Sequence, residues 1–188
     1  MNPTLRERRM QSEWLLLTKL AESNPEIIDS LDRTPDAFRV HLSNTPGWIA
    51  VEDRPVLQSE HWIEYLFPRY YPTLPLEAYC RRPAFHPNIH PETGFLCLWE
   101  DYLPNRSMLD AVVTTRAVLA HQAMNRSAQH CMQPAAFHCD PLEIPALCVP
   151  ESCRTMQGTL QGQRRSRLTS IPDESGNLQD SLAISHSQ

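Results

Sequence analysis

Residues 67–97 read FPRYYPTLPLEAYCRRPAFHPNIHPETGFLC, and the reading of this stretch decides the fold. Prolines stand at 68, 72, 75, 83 and 87, with Pro91 after them. Each fixes its own φ and disfavours helix in the residue before it, so the segment is expected to be extended and to hold one shape. Within it, His86-Pro87-Asn88-Ile89 is followed by a polar turn, His90-Pro91-Glu92-Thr93-Gly94, and by the apolar run Phe95-Leu96-Cys97-Leu98. A cysteine between two leucines ordinarily reads as a small core residue. Emerging from a rigid loop, with an amide and an imidazole close upstream, Cys97 is instead a candidate nucleophile.

Upstream of this stretch, Met10, Trp14, Leu17 and Leu20 recur at helical spacing within 5–23, and Leu16 broadens the stripe. Thr4 and Glu7 have the form of a capping box, and Pro25 stops the helix. Strands are predicted at 38–42, where apolar and polar residues alternate, at 48–52 after the Asn44-Thr45-Pro46-Gly47 turn, at 61–67, and at 77–81. Short connections favour an antiparallel meander, and one apolar face of it needs a covering helix, which the first helix can supply. Downstream, Leu109, Val112, Val113, Leu119 and Ala123 predict an amphipathic helix capped by Ser107 with Asp110. It is expected to lie behind the cysteine loop.

The chain has 188 residues, enough for one domain with a sizeable core and a tail. A net charge of −5 with mixed signs gives no basic field of the kind that nucleic-acid binders carry. No apolar run is long enough to span a bilayer, and the first residues lack a signal-peptide hydrophobic core, so a cytoplasmic protein is expected. There the six cysteines stay mostly reduced, and none forms a CxxC pair. Of the 17 basic residues only Lys19 is lysine. Codon bias explains this; so does an enzyme that gains by offering few lysines to its own thioester.

The ordered set Phe67-Pro68, Tyr71-Pro72, Pro75, His86-Pro87-Asn88-Ile89, Gly94 and Cys97-Leu98 resembles the ubiquitin-conjugating enzyme family. The resemblance covers roughly residues 5–122 and then fades. It implies an α+β fold: an N-terminal helix packed on a four-stranded antiparallel meander, an active-site loop and a C-terminal helix. It also implies that Cys97 accepts ubiquitin or a ubiquitin-like protein from an activating enzyme as a thioester and transfers it to a target amine or thiol, with no cofactor at this step. Asn88 then has two readings, as donor to the oxyanion of the tetrahedral intermediate or as a brace of the loop. His86 is expected to hold the loop rather than act as a base. Glu100 and Asp101, just after the cysteine, are candidates for steering or deprotonating the incoming amine. Arg6, Arg8 and Arg9 on the first helix are the candidates for docking the activating enzyme.

Several features depart from the family pattern. Tyr102-Leu103-Pro104 stands where the family has Trp-x-Pro, and Asn125-Arg126-Ser127 where it places an acid or a serine beside the thiol. Thr73 and Leu74 fill the place of a bulky ligase-contacting residue, which leaves the need for a ligase open. The arginine bias and the shortened C-terminal part have the look of bacterial relatives encoded beside an activating enzyme. A binding module of the same fold without catalysis is the alternative, but such modules lack the cysteine. A cysteine hydrolase would need a histidine and an Asp or Asn around the thiol. His130, Cys131, His138, Cys139, Cys148 and Cys153 could furnish zinc ligands, but their spacing fits no established finger, and no metal is expected. Residues 1–150 are read as the catalytic domain and 151–188 as a polar, disordered tail.

Overall fold

The computed structural model describes residues 4–52, 54–127 and 130–162. The first helix, α1 (Leu5–Glu22), opens with both halves of its capping box: Thr4 Oγ1 accepts from the Glu7 amide, and Glu7 Oε2 accepts from the Thr4 amide. Two of the orphan amides at its start are thereby satisfied. Its inner face buries Met10, Leu16, Leu17 and Leu20. Each such side chain contributes roughly 1.5–3 kcal/mol when removed from water.

That face covers an antiparallel sheet in the order β1-β2-β5-β6-β7, built from Ile28–Arg33, Ala37–Leu42, His61–Leu66, Glu77–Cys80 and Phe95–Leu96. The first four are ladder neighbours and form the expected meander. Its strand membership differs from the prediction in one place. Residues 48–52 belong to a separate hairpin, β3 (Gly47–Val51) with β4 (Arg54–Gln58), and β1 takes the expected fourth position. The sequence IDSLDR hides this strand because β1 lies at the sheet edge and fully buries only Ile28, so no alternation develops. The β3–β4 hairpin bridges the main chain at Ile49 and Ala84, beside the residues that lead into His86.

Aromatic rings tie helix, sheet and proline-rich segment together. Trp14 meets Phe38 at 5.0 Å, Phe38 meets Phe67 at 4.5 Å, and Phe67 meets Tyr71 at 4.9 Å between centroids. Below them Glu13, fully buried, accepts from Arg9 Nε at 2.7 Å, the Tyr71 hydroxyl at 3.0 Å and the Met108 amide at 2.7 Å. The last of these is at the start of α2 (Met108–Leu119), whose capping box joins Ser107 and Asp110 as the sequence predicts. The Tyr65 hydroxyl donates to Thr115 Oγ1 at 2.9 Å and fastens this helix to the sheet.

Among the described residues beyond α2, a 3-10 turn spans Pro134–His138, and then a third helix, α3, spans Glu151–Gly162. This corrects the expectation of a disordered tail from residue 151. Cys153 and Leu160 are buried in the core beside α1, and the Cys153 thiol lies 3.8 Å from the Leu16 carbonyl. Two buried anchors two turns apart on one face, with Met156 packed against the core between them, are enough to dock an otherwise polar helix. The rest of the expected tail, 163–188, lies outside the described residues. Among the described residues, no helix is long and apolar enough to cross a membrane.

Candidate active site

The loop that carries Cys97 is fixed by its own backbone. The His86 ring accepts the Asn88 amide on Nδ1 at 3.0 Å, and the Ile89 amide donates to the His86 carbonyl. The chain then turns at Gly94, whose φ of +72° disfavours any other residue. A Cβ at Gly94 would also lie 2.0 Å from the Cys80 carbonyl oxygen, so β6 can approach this turn only because the side chain is absent. From there Phe95 and Leu96 pair with β6, and the Cys97 amide donates to the Asn88 carbonyl at 2.9 Å. Cys97 therefore emerges at the end of a ladder and is half-buried.

His86 is fully buried and stands edge-on to His121 at 4.4 Å between centroids. Burial, aided by that second ring, pushes its pKa down to about 3, so it is a neutral imidazole that holds the turn. Asn88 is also buried, and its amide is fully committed. Nδ2 donates to the Asn125 carbonyl at 2.8 Å and to the His130 carbonyl at 2.9 Å, while Oδ1 accepts from the Asn125 amide at 2.7 Å. Both hydrogens that an oxyanion would need are engaged in this arrangement.

One consequence of that brace was not foreseen in the sequence. The segment after α2 is drawn across the loop, and the His130 ring comes to the thiol, with Nδ1 2.9 Å from Cys97 Sγ. By sequence alone His130 groups with the possible zinc ligands. Its only signal was position: it lies three residues beyond Ser127, in the loop where the family keeps a polar group beside the sulfur. Cys131 is half-buried and His138 exposed, and no group of three His, Cys, Asp or Glu side chains converges among the described residues. The Cys97 thiol also lies 3.6 Å from the Trp99 carbonyl, and burial pushes its pKa up.

Glu100 and Asp101 are exposed on the segment that follows the cysteine. Tyr102, in the place of the family's tryptophan, donates to the Pro72 carbonyl at 2.9 Å and so links this segment to the proline-rich loop. The three arginines of α1 separate. Arg8 is exposed. Arg6 is largely covered, bonding Asp36, the Phe67 carbonyl and the Pro68 carbonyl. Arg9 is buried in its ion pair with Glu13 and donates to the Arg106 carbonyl, so it is an interior residue and not a surface for docking.

No protein-family model and no curated protein matches the sequence. Solved structures do match. A ubiquitin conjugating enzyme described from Trypanosoma cruzi aligns over 73% of this chain and 90% of its own, at 17% identity and a TM-score of 0.52. Human ubiquitin-conjugating enzyme E2 G1 aligns over 63% of this chain and 98% of its own, at 18% identity and a TM-score of 0.42. With α1 laid on an antiparallel meander, a proline-fixed loop carrying the thiol and α2 behind it, the chain has the fold of the ubiquitin-conjugating enzymes.

Proposed function

We propose that Cys97 accepts ubiquitin or a ubiquitin-like protein from an activating enzyme and passes it to a target amine or thiol. The observation that carries this reading is a half-buried thiol at the end of the ladder that follows His86-Pro87-Asn88-Ile89, on this fold. A sulfur at a loop surface can be reached by two large partners and needs no deep pocket. Its attack on the incoming thioester carbonyl forms the Cys97 C–S bond and releases the activating enzyme's cysteine. No cofactor is used in that exchange.

The supporting residues take these roles. His86 and Asn88 brace the loop, Asn88 by the bonds that hold residues 125 and 130. Glu100 and Asp101 steer a cationic amine toward the thioester. Arg8, with the exposed part of Arg6, docks the activating enzyme. The presence of the thiol weighs against a binding module without catalysis. The imidazole beside the sulfur favours, as a second reading, a cysteine hydrolase, but such a site also needs a group to orient the ring. Among the described residues no side chain bonds the other nitrogen of His130.

Charging decides between these readings. With its activating enzyme, ATP and modifier, the protein is expected to gain one modifier-sized mass that excess thiol removes. Cys97→Ala abolishes the adduct, and Cys97→Ser gives a slower, thiol-resistant oxyester. Substitution of Cys80, Cys131, Cys139, Cys148 or Cys153 leaves it. An adduct that persists in Cys97→Ala overturns the assignment.

A further inference from the structure

His130 is the imidazole that touches the candidate reacting sulfur, with Nδ1 2.9 Å from Sγ. Its place is not accidental to a loose loop. Its carbonyl accepts from Asn88 Nδ2, and two residues on, the Met132 amide donates to the Pro87 carbonyl at 2.7 Å. With Asn125 held upstream by the same Asn88 side chain, the backbone on both sides of the ring is tied to the turn that presents the thiol. Of the other histidines near this turn, His86 and His121 are buried, and burial keeps both rings neutral by lowering their pKa values, while His90 turns its Nδ1 to the Glu92 and Thr93 amides. His130 is only half-buried, so its proton can exchange with solvent.

We propose that His130 is the general base of this site. The inference rests on Cys97 being the nucleophile, as in the reading above. With its own proton on Nε2, the ring accepts the Cys97 thiol proton at Nδ1 as the sulfur attacks the thioester carbonyl. The C–S bond to the activating enzyme breaks, and its departing thiolate is protonated from the imidazolium or solvent. In discharge, the acceptor attacks the Cys97 thioester, its proton passes to Nδ1, and Cys97 leaves as a thiolate beside the imidazolium. A half-buried thiol with a pKa above the ordinary value holds little thiolate at neutral pH, and a base in contact removes that handicap. The charged or titratable side chains on the neighbouring segments are His90 and Glu92 in the turn before the cysteine, Glu100, Asp101 and Tyr102 after it, Arg106 against the Trp99 ring, and Arg126 and Cys131 around the histidine. No ion pair among the described residues joins any of them to the sulfur or the ring.

The test needs no modifier. The whole chain is alkylated with limiting iodoacetamide between about pH 5.5 and 9.5, and each cysteine is followed by peptide mass spectrometry, with exposed Cys148 as the reference in the same sample. A thiol coupled to an imidazole reacts in two macroscopic steps, the first below the ordinary thiol range and the second within it. Cys97 is expected to show both steps and Cys148 only the second. His130→Gln should erase the first step and slow Cys97 about 10-fold at pH 7, with Cys148 and the melting temperature unchanged. A single step for wild-type Cys97, in the thiol range, overturns the proposal without recourse to any variant; so does a first step that survives in His130→Gln. Two steps in a protein that never forms the modifier adduct would leave the base standing and remove conjugation instead.

Discussion

The two sides of the thiol are built differently. Residues 67–97 are held by backbone: β6 pairs with β5 and β7, Gly94 bonds Cys80, and Asn88 bonds Cys97 through main-chain groups. The described residues between 121 and 150 form no strand or α-helix and are held largely by side chains that reach to main-chain groups. Asn24 exchanges two bonds with Cys148, Trp48 donates to the Asp140 carbonyl, Asn88 clasps Asn125 and His130, and Arg116 donates to the Pro145 carbonyl. Gln133 sends its amide back to the carbonyls of Ala84, His86 and Ile89. A ladder forms one cooperative unit, whereas pins fail one at a time. The comparison therefore predicts that damage to the framework is global and damage to a pin is local.

The largest effect is expected at Glu13, which serves the framework. Its carboxylate receives Arg9, Tyr71 and Met108, and so joins α1, the proline-rich segment and α2. Glu13→Ala strands a buried guanidinium and is expected to cost about 3–5 kcal/mol in denaturant unfolding, as a single cooperative transition. A loss under about 1 kcal/mol, within the range of exposed pairs, would remove this network from the framework.

Next comes acid. His61 begins β5 and is buried. Burial pushes its pKa from 6.5 down to about 4. Between those values the unfolded chain binds the proton and the folded protein does not, so stability falls as pH drops through that window. The slope for one ring is about 1.4 kcal/mol per pH unit. His61→Leu should flatten the decline of melting temperature between pH 6.5 and 4, and an unchanged slope would place the acid sensitivity elsewhere, in His86 first.

The same contrast explains what the sequence disclosed. Caps, turn glycine and proline-fixed strands are local signals, so Thr4 with Glu7, Ser107 with Asp110, and Gly94 could be read directly. The thiol loop was legible because its residues are contiguous. β1 was not, since an edge strand with one fully buried residue shows no period. Pins are illegible in principle: nothing near Asn24 announces Cys148, and nothing near Asn88 announces His130. Arg9 misled for the related reason that its partner, one helical turn away, is buried with it. Helix α3 was missed because two apolar contacts, Cys153 and Leu160, carry a segment of tail-like composition.

Asn88 tests a pin that crosses between the two regions. Asn88→Ala leaves two carbonyls and one amide without their partners, and about 2 kcal/mol is expected from partial resolvation of these groups. The brace reading predicts that charging and discharge fall together, with hydrogen exchange rising around 125–132. An oxyanion donor would instead slow transfer alone, on the order of 100-fold, with the melting temperature unmoved.

Gln133 carries the smallest effect and gives the sharpest test of the comparison. Its single amide nitrogen serves three carbonyls, those of Ala84, His86 and Ile89, at 2.9, 3.3 and 2.7 Å. Two hydrogens cannot satisfy three acceptors well, and the residue is only half-buried, so water can replace what is lost. Gln133→Ala is accordingly expected to cost about 1 kcal/mol. If the segment is pinned onto a finished framework, the cost appears as local opening. Amides around 130–136 then exchange faster, while those of Cys80 and Cys97, whose partners Gly94 and Asn88 lie within the 67–97 framework, keep their protection. Faster exchange at Cys80 and Cys97 as well would mean that the ladder depends on the segment that crosses it. The two sides of the thiol would then be one cooperative unit, and the distinction between framework and pins would have to be abandoned.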